Sequence, residues 1–433
     1  MPENSTGVVI GTVVNPAGLT LAKVVSDCAA ARFADPGLGA SPTWHGFAID
    51  RTGIAFTESI TVVGDQRLRI DQRAQRRIDD GLSWAPASFF DQDGDRVPEC
   101  TRSILAGIQS QLHAQGYQAQ VGHEIEFLVV DPAGNRLPGQ LWAPYGLAGV
   151  LEHEAFIRDV ITALAAAHLG VEQFHPEYGV NQFEVSLTPA PPVEAADQLV
   201  LARILIGRVA RAHGIRVSLS PVPFSGSVGS GAHQHFSLQY QGAPVFSGGS
   251  GPHGMTRQGA AAIGGIVAGL IEAQLIFCGS IVSGLRMQPG NWAGVHACWG
   301  TENREAAVRF LPATHGNAHG ANVEVKVVDP SANPYLASAA ILGLALDGIA
   351  RHALLPPEVD VDPQILPPQQ RVAQLTDQQA EAIAALDNSS LMRAILGDPV
   401  IDALVAVRRY EHDTYRDLSP QELTDRFRMA WSL

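Results

Sequence analysis

A chain of 433 residues is long enough for two or three domains around at least one large core. Hydrophobic residues make up 46% and charged residues 17%, which excludes disorder, a collagen repeat and a charged coiled coil. With 29 Lys+Arg against 43 Asp+Glu the formal net charge is -14, so a nucleic-acid partner is not expected, and clustered carboxylates become candidate cation sites.

The N-terminus, MPENSTGVVIG, lacks a basic region followed by a long apolar core. Cys28, Cys100, Cys278 and Cys298 are scattered without a CxxC pair. Both features fit a cytoplasmic protein with free thiols. The first hundred residues read as short β-like runs, GVVIGTVVN and HGFAID among them, between the turn-rich segments NPAG, ADPGLGASP and DQDGD. A helical pattern from about Thr101 to Gln115 leads into a strand, QVGHEIEFLVVD, that stops at Pro132. The expected division is therefore a small, mostly β domain at 1–105 and a larger domain at 106–433.

Within the larger domain helices are expected at 151–168, 192–213, 256–278 and 335–350, and strands at 172–187, 215–220, 232–240, 303–310 and 322–328. The apolar stretch from Gly259 to Leu285 is interrupted by Glu272 and rich in glycine, which fits a packed core helix and a second apolar segment rather than a membrane span. The C-terminal stretch is expected to be helical, with Thr376 and Gln379 as a capping pair and a further helix through IDALVAVRRYEHDTYRD. The class is α+β or mixed α/β.

Side chains of a strand alternate between faces. In HEIEFLVV this sets Glu124 and Glu126 against Ile125, Phe127 and Val129. It likewise sets Gln182 and Glu184 against Phe183, Val185 and Leu187, and His233, His235 and Ser237 against Phe236 and Leu238. Asn322, Glu324 and Lys326 oppose Val323, Val325 and Val327. Half-exposed strands facing solvent give the same alternation, but a surface face mixes in Lys, Thr and Arg, whereas here Glu and His dominate and Glu172 and Glu177 lie just upstream. Converging carboxylates must protonate or bind cations; oxygen ligands with imidazole suit Mg²⁺ or Mn²⁺. Arg286, Arg304 and Arg309 surround a Pro/Gly-rich loop and suit an anionic substrate, or else serve surface solubility. The glycines of GSVGSGAH match no Walker or dinucleotide pattern, and no GxSxG elbow is present.

The stretches VGHEIEFLVVD, HPEYGVNQFEVSL, GSGAHQHFSL, GLRMQPGNWAG with WGTENREAAVRF, and NVEVKVVDPSANPYLASAAILGLALDGI together resemble the glutamine synthetase family, in that family's order and across residues 121–350. The resemblance implies an N-terminal β-grasp domain, with which GLGASP and VGDQRLRID are compatible, and a catalytic domain with a curved antiparallel sheet flanked by helices. It implies an ATP-dependent ligase that phosphorylates the side-chain carboxylate of glutamate and lets an amine displace phosphate. Carried over by position, Glu126, Glu177 and Glu184 would hold one Mg²⁺ or Mn²⁺ ion and Glu124, His233 and Glu324 a second, with two or three ions per site. Glu172, His235 and Ser237 fall where the family contacts ATP or its metal. Arg304 and Arg309 fall at the transferring phosphate, Arg309 also toward the nucleotide, and Glu324 counts with them as catalytic. Arg286 falls at the glutamate α-carboxylate, with Gly229 and Lys326 beside the substrate. The resemblance further implies a double-ring homo-oligomer, commonly of twelve chains, with active sites between neighbouring subunits.

Departures from the family's pattern bear on the substrate. Trp292 stands where the family's flap carries a glutamate that binds and deprotonates ammonium. An indole offers apolar area and a π face instead of a carboxylate. Val228, Lys326 and Asn322 replace an asparagine and two arginines, and the regulatory tyrosine has no counterpart in DPQILPP. The expected reaction is γ-glutamyl transfer to an organic primary amine. Ordinary glutamine synthesis from ammonium, and a catalytically silent regulatory relative, are the competing readings.

Overall fold

In the computed structural model, which describes residues 7–139, 141–317 and 320–433, the chain builds two sheets and a helical layer. The first sheet uses the β-branched runs of the N-terminus. Its strands are β1 (Val8–Val14), β2 (Thr20–Ser26), β3 (Leu38–Ala40), β4 (Gln66–Ile70), β5 (Arg76–Asp79) and β6 (Leu82–Phe90), with the short helix α1 (Ala30–Ala34) between β2 and β3. The order is β2-β1-β6-β4-β3, with β5 on β6, and only β1 and β6 run parallel.

Helix α2 (Thr101–Ala114) runs across the expected division at residue 105 and buries Leu105, Ile108 and Leu112, the stripe of one helical face. The 14-residue strand β7 (Tyr117–Val130) follows. Next come α3 (Leu147–Glu152), α4 (Glu154–Ala166), β8 (Val171–Pro176), β9 (Gln182–Leu187), α5 (Pro192–Ala212), β10 (Arg216–Ser218), β11 (Gln234–Tyr240) and β12 (Ala243–Pro244). The chain continues through α6 (Arg257–Cys278), β13 (His296–Thr301), β14 (Ala306–Leu311), β15 (Asn322–Val325) and α7 (Pro334–Ala350). It ends in α8 (Gln379–Asp387), α9 (Ser390–Leu396), α10 (Asp398–Tyr415) and α11 (Pro420–Phe427).

The second sheet is nine-stranded, in the order β13-β14-β15-β11-β7-β9-β8, with β10 on β7 and β12 on β11. All its pairings are antiparallel except β13 with β14. Ile125, Phe127, Val129, Phe183, Val185, Phe236 and Val323 are buried in one core with side chains of α2, α4, α5, α6 and α7. That core occupies one face of the sheet, and the alternate residues are left for the other. Helix α6 is long and apolar enough to cross a membrane by composition, yet 78% of its apolar window is buried inside the protein, as a packed core helix would be.

Several sequence expectations are refined. The segment expected as one strand at 172–187 is two antiparallel strands, β8 and β9, because residues 177–181 turn and Asn181 takes a left-handed φ of 61°. The helix expected at 151–168 breaks at His153 into α3 and α4. Strand β13 lies outside every expected span. Thr376 does not cap α8: its hydroxyl accepts from the Gln378 N–H at 3.0 Å and donates to Glu381 at 2.6 Å, while Gln379 reaches the Gly279 carbonyl at 2.9 Å. Two residues, Asp377 and Gln378, separate Thr376 from the first residue of the helix, whose N-cap is Gln378.

Candidate active site

Strand register brings the polar faces together. Glu126 of β7 is paired with Glu184 of β9, which is paired on its other side with His175 of β8. On the other flank His235 of β11 is paired with Glu324 of β15, and Glu324 with Arg309 of β14. Residues paired across a sheet share a face. Glu124 lies two residues before Glu126 and so on the same face. The backbone N–H groups of Glu124 and Glu126 donate to the carbonyls of His233 and Gly231, which extends the ladder beyond β11 and hangs His233 over the two carboxylates.

These side chains line a cavity of about 730 Å³ that contains Glu124, Glu126, Glu177, Glu184, His233, His235, Gly229, Arg286, Trp292, Arg304, Arg309, Glu324 and Lys326. Glu172 and Ser237 fall outside it. They line a second cavity of about 290 Å³, together with Asn322, and this cavity shares Glu124, Gln173 and His235 with the first. A third, of about 480 Å³, lies beyond Trp292; it shares Gly290, Trp292 and Arg304 with the first and adds Glu302, Glu305, Asp360 and Asp362.

The imidazoles and cations thread between the carboxylates. His233 Nδ1 lies 2.8 Å from Glu124 Oε2 and 3.5 Å from Glu324 Oε1, and His235 Nε2 lies 3.2 Å from Glu124 Oε1. Arg309 donates to Glu324 Oε2 at 3.0 Å, and Lys326 Nζ to Glu324 Oε1 at 3.2 Å. Gln182 bridges Glu126 Oε2 at 3.2 Å and the Gly229 carbonyl at 2.9 Å. Arg286 donates to the Val327 carbonyl at 3.1 Å and the Lys326 carbonyl at 3.2 Å, which fixes its guanidinium at the cavity wall.

Burial and mutual repulsion sort the carboxyls. Burial, reinforced by the fields of Glu124, Glu126, Glu177 and Glu324, pushes Glu184 up to about 10. Burial also raises Glu126, against the opposing fields of His233 and Arg286. Burial acts the same way on Glu324, but Lys326, His235 and His233 outweigh it and hold that carboxyl down to about 2. Glu124 is likewise driven well below the usual range by hydrogen bonds from His233 and His235 despite burial. Burial disfavours a charged His235, yet Glu124 and Glu324 raise it to about 9. Without a cation, then, the cluster holds both protonated carboxyls and paired ones.

The donor set fits divalent cations. Three groups have ligand atoms within 4.8 Å of one another: Glu124, His235 and Glu324; Glu124, Glu184 and His233; and His175, Glu177 and Glu184. Hard oxygen donors supplemented by imidazole suit Mg²⁺ or Mn²⁺, and no cysteine is among them. The groups cut across the division carried over from the family. Glu184 sits in two of them, His235 stands with Glu124 and Glu324, and His175 joins Glu177 and Glu184 while Glu126 is in none.

The loop before β13 forms the opposite rim. Gly290, Trp292 and Gly294 all have left-handed backbone, with φ of 82°, 54° and 69°. For tryptophan that conformation costs about 1–2 kcal/mol, which its surroundings must offset. The Trp292 N–H donates to Glu305 Oε1 at 3.1 Å, and the indole stands edge-to-face with Tyr178 at 5.0 Å and 89°. Tyr145 stacks on His175 at 5.5 Å, and burial with the neighbouring Glu177 raises its hydroxyl to about 12. The sequence reading singled out none of His175, Tyr145, Tyr178 and Glu305. For His175 the signal was available, since it precedes Glu177 by the two-residue step of a strand; Glu305 lies within the span expected as a strand at 303–310 but just ahead of β14, and Tyr145 reaches the site from a segment with no periodic pattern.

A family model for the catalytic domain of glutamine synthetase matches residues 98–425. The chain belongs to the glutamine synthetase family. It is 35% identical over 98% of its length, and 93% of the relative's, to the gamma-glutamylpolyamine synthetase GlnA3 of Streptomyces coelicolor. It is 29% identical to the glutamine synthetase of Mycolicibacterium smegmatis, over 80% of each chain. Among solved structures, one described as a novel glutamine synthase homolog superposes with a TM-score of 0.89 at 27% identity, covering 98% of both chains. A GmaS/ADP complex, 21% identical, shares the fold with a TM-score of 0.85 over 96% of this chain and 95% of its own.

Proposed function

We propose that the chain is an ATP-dependent carbon–nitrogen ligase that joins the γ-carboxylate of glutamate to an organic primary amine, with a polyamine as the favoured class. The observation that carries the reading is the make-up of the main cavity, with a Glu/His cation cluster at its floor and Trp292 at its rim in place of a carboxylate. The carboxylates beyond Trp292, Glu302, Glu305, Asp360 and Asp362, favour a substrate with further positive charge. The gamma-glutamylpolyamine synthetase among the relatives supports the same class.

In this reading a γ-carboxylate oxygen of glutamate attacks the terminal phosphorus of ATP, the bond to the bridging oxygen breaks, and ADP leaves. The amine, as its free base, then attacks the γ-carbonyl carbon of the acyl phosphate, the carbon–oxygen bond to phosphate breaks, and the proton lost from nitrogen leaves with phosphate as hydrogen phosphate. Glu124, Glu126, Glu177, Glu184, His233 and Glu324, with His175, would hold two or three Mg²⁺ or Mn²⁺ ions. Bound there, the ions would neutralise charge on the transferring phosphoryl group. Arg309, oriented by Glu324, and Arg304 at the rim would bind the equatorial oxygens. Arg286, Gly229 and Lys326 would seat the amino-acid end of glutamate. Glu172, His235 and Ser237 would bind the nucleotide in the second cavity, which opens into the first at Glu124 and His235.

The reading extends to the whole chain. Residues 1–105 would be a β-grasp domain and 106–433 the catalytic domain, assembled as a double-ring dodecamer. The four free cysteines support a cytoplasmic setting. No nucleic acid or membrane would take part.

Phosphate release from ATP with Mg²⁺ and glutamate tests the reading across ammonium, ethanolamine, short alkylamines, polyamines and an aromatic amine, with mass spectrometry of the product. The expected result is a γ-glutamylpolyamine, with kcat/KM for the polyamine at least about tenfold above that for ammonium. Ammonium as the best acceptor would refute the amine assignment. No release with any amine would refute the ligase.

A further inference from the structure

We infer that Tyr178 determines amine specificity: its ring and the indole of Trp292, locked in place by Glu305, form the seat for the alkyl-ammonium chain of the substrate. The inference deepens the proposed ligase reading and rests on it.

Exposed aromatic rings that touch one another inside a cavity form a contiguous apolar patch, the kind of surface a ligand covers. Tyr178 is 46% exposed and Trp292 40%, and both line the main cavity. Their centroids lie 5.0 Å apart with the planes at 89°. Tyr145 closes a third side, 6.1 Å from Tyr178 and at 87° to it. In an edge-to-face pair the edge of one ring meets one face of the other and leaves that ring's second face free of its partner, and both rings line the cavity. A methylene chain gains apolar contact against that face, and its ammonium gains cation–π attraction. A bare ammonium ion has no methylenes to bury, so this corner discriminates by the part of the substrate that ammonium lacks.

Both rings are tied to the rest of the site through the backbone. The Tyr178 N–H donates to Glu177 Oε2 at 3.0 Å, so the ring is placed relative to a carboxylate of the cation cluster. Glu305, 8% exposed, accepts from the N–H groups of Gly290 at 3.4 Å and Trp292 at 3.1 Å. Those two residues have positive φ, and Glu305 immediately precedes β14, which carries Arg309. Glu305 is thus a positioning residue: it sets the indole against the strand that supplies the phosphate-side arginine. The seat and the reacting end of the cavity are held at a fixed spacing, as selection by chain length requires.

The test uses the full-length enzyme with 1,4-diaminobutane as the amine probe, and KM is measured separately for the diamine, glutamate and ATP. Tyr178→Ala is expected to raise the diamine KM about tenfold while the glutamate and ATP KM values move less than about twofold. Tyr178→Phe, which keeps the ring, should restore the diamine KM to within about twofold of wild type. Glu305→Gln should raise the diamine KM by about threefold, and combining Tyr178→Ala with Trp292→Ala should cost less than the product of the single effects because the rings act as one unit. A diamine KM unchanged in Tyr178→Ala, or a glutamate KM that rises with it, overturns the seat. Thermal melts show whether each variant is folded, and if Tyr178→Ala is not, Tyr178→Leu makes the same comparison with side-chain bulk retained. A wild type that prefers the diamine but is indifferent to Tyr178 refutes the seat alone. One that prefers ammonium refutes the ligase reading and the seat together.

Discussion

Glu184 shows how a single residue couples the cation cluster to stability. Its carboxyl is raised to about 10 from the usual 4.5, so between those values the folded chain holds a proton that the unfolded chain has released. The stabilisation is complete below the unfolded value and is lost as the pH climbs through the folded one. His235, raised to about 9 from 6.5, acts in the same direction over the upper part of that window. Glu324, held at about 2, works on the acid side and is lost only as the pH falls through that value. The melting temperature of the metal-free protein is therefore expected to fall from about pH 5 to about pH 9. A divalent cation bound at the cluster would take the place of the proton on Glu184, so the rise in Tm on adding Mn²⁺ should grow over the same range. Thermal melts with and without Mn²⁺ at stepped pH check this, and a metal increment independent of pH would contradict it. The residues behind this behaviour were legible in sequence because strand alternation separates Glu124, Glu126 and Glu184 from their apolar neighbours. Their grouping was not, because which carboxylate faces which imidazole depends on register between strands far apart in the chain.

At the scale of elements, the site depends on how closely the segment before β11 crosses β7. Gly231 lies beneath the His233 imidazole, and a methyl group there would overlap that ring and the Glu126 carboxylate, which approaches to 2.8 Å of the added carbon. Gly231→Ala is therefore expected to displace His233 and Glu126 while sparing the core on the far face of the sheet. Metal affinity should fall about 10- to 100-fold, as when groups that orient ligands are lost, with the melt of the metal-free protein little changed. Mn²⁺ titration by calorimetry measures the first and a melt the second; wild-type affinity in the variant would show that the segment has room to give. Sequence reasoning located β7, β9, β11 and β15 because each alternates. It missed β13, His296–Thr301, whose sequence HACWGT has no clean period and whose neighbour in the sheet, β14, runs parallel to it. The left-handed turn at Trp292 was equally hidden, since tryptophan does not signal positive φ and its anchor, Glu305, is 13 residues away.

At the scale of the molecule, the C-terminus returns to clamp the N-terminal sheet onto the catalytic part. Trp431 is 4% exposed and its indole N–H donates to the Ala17 carbonyl at 3.0 Å. Arg51 donates to the carbonyls of Met429 at 2.7 Å and Ala430 at 2.9 Å. The Tyr410 hydroxyl donates to Asp50 Oδ2 at 2.9 Å, and Asn333 donates to the carbonyls of Val14 and Asn15 at 3.0 Å. Val14, Ala17, Leu19, Ile49 and Trp84 of the N-terminal part belong to the same buried core as Phe127, Phe183 and Trp431. The change near residue 105 from short β-like runs to a helical pattern reads as a boundary in sequence, but apolar packing crosses it, because contacts between distant segments leave no local mark on either. Packing that crosses a boundary couples the two sides, so the chain is expected to unfold in one calorimetric transition rather than two. Trp431→Ala removes a buried indole and leaves the Ala17 carbonyl without its partner, at a cost of about 3–5 kcal/mol. Because that indole holds both parts, the loss should shift the whole transition down without splitting it. A variant whose N-terminal signal melts early while the catalytic signal stays in place would mean that the clamp, and not the shared core, is what joins the two parts.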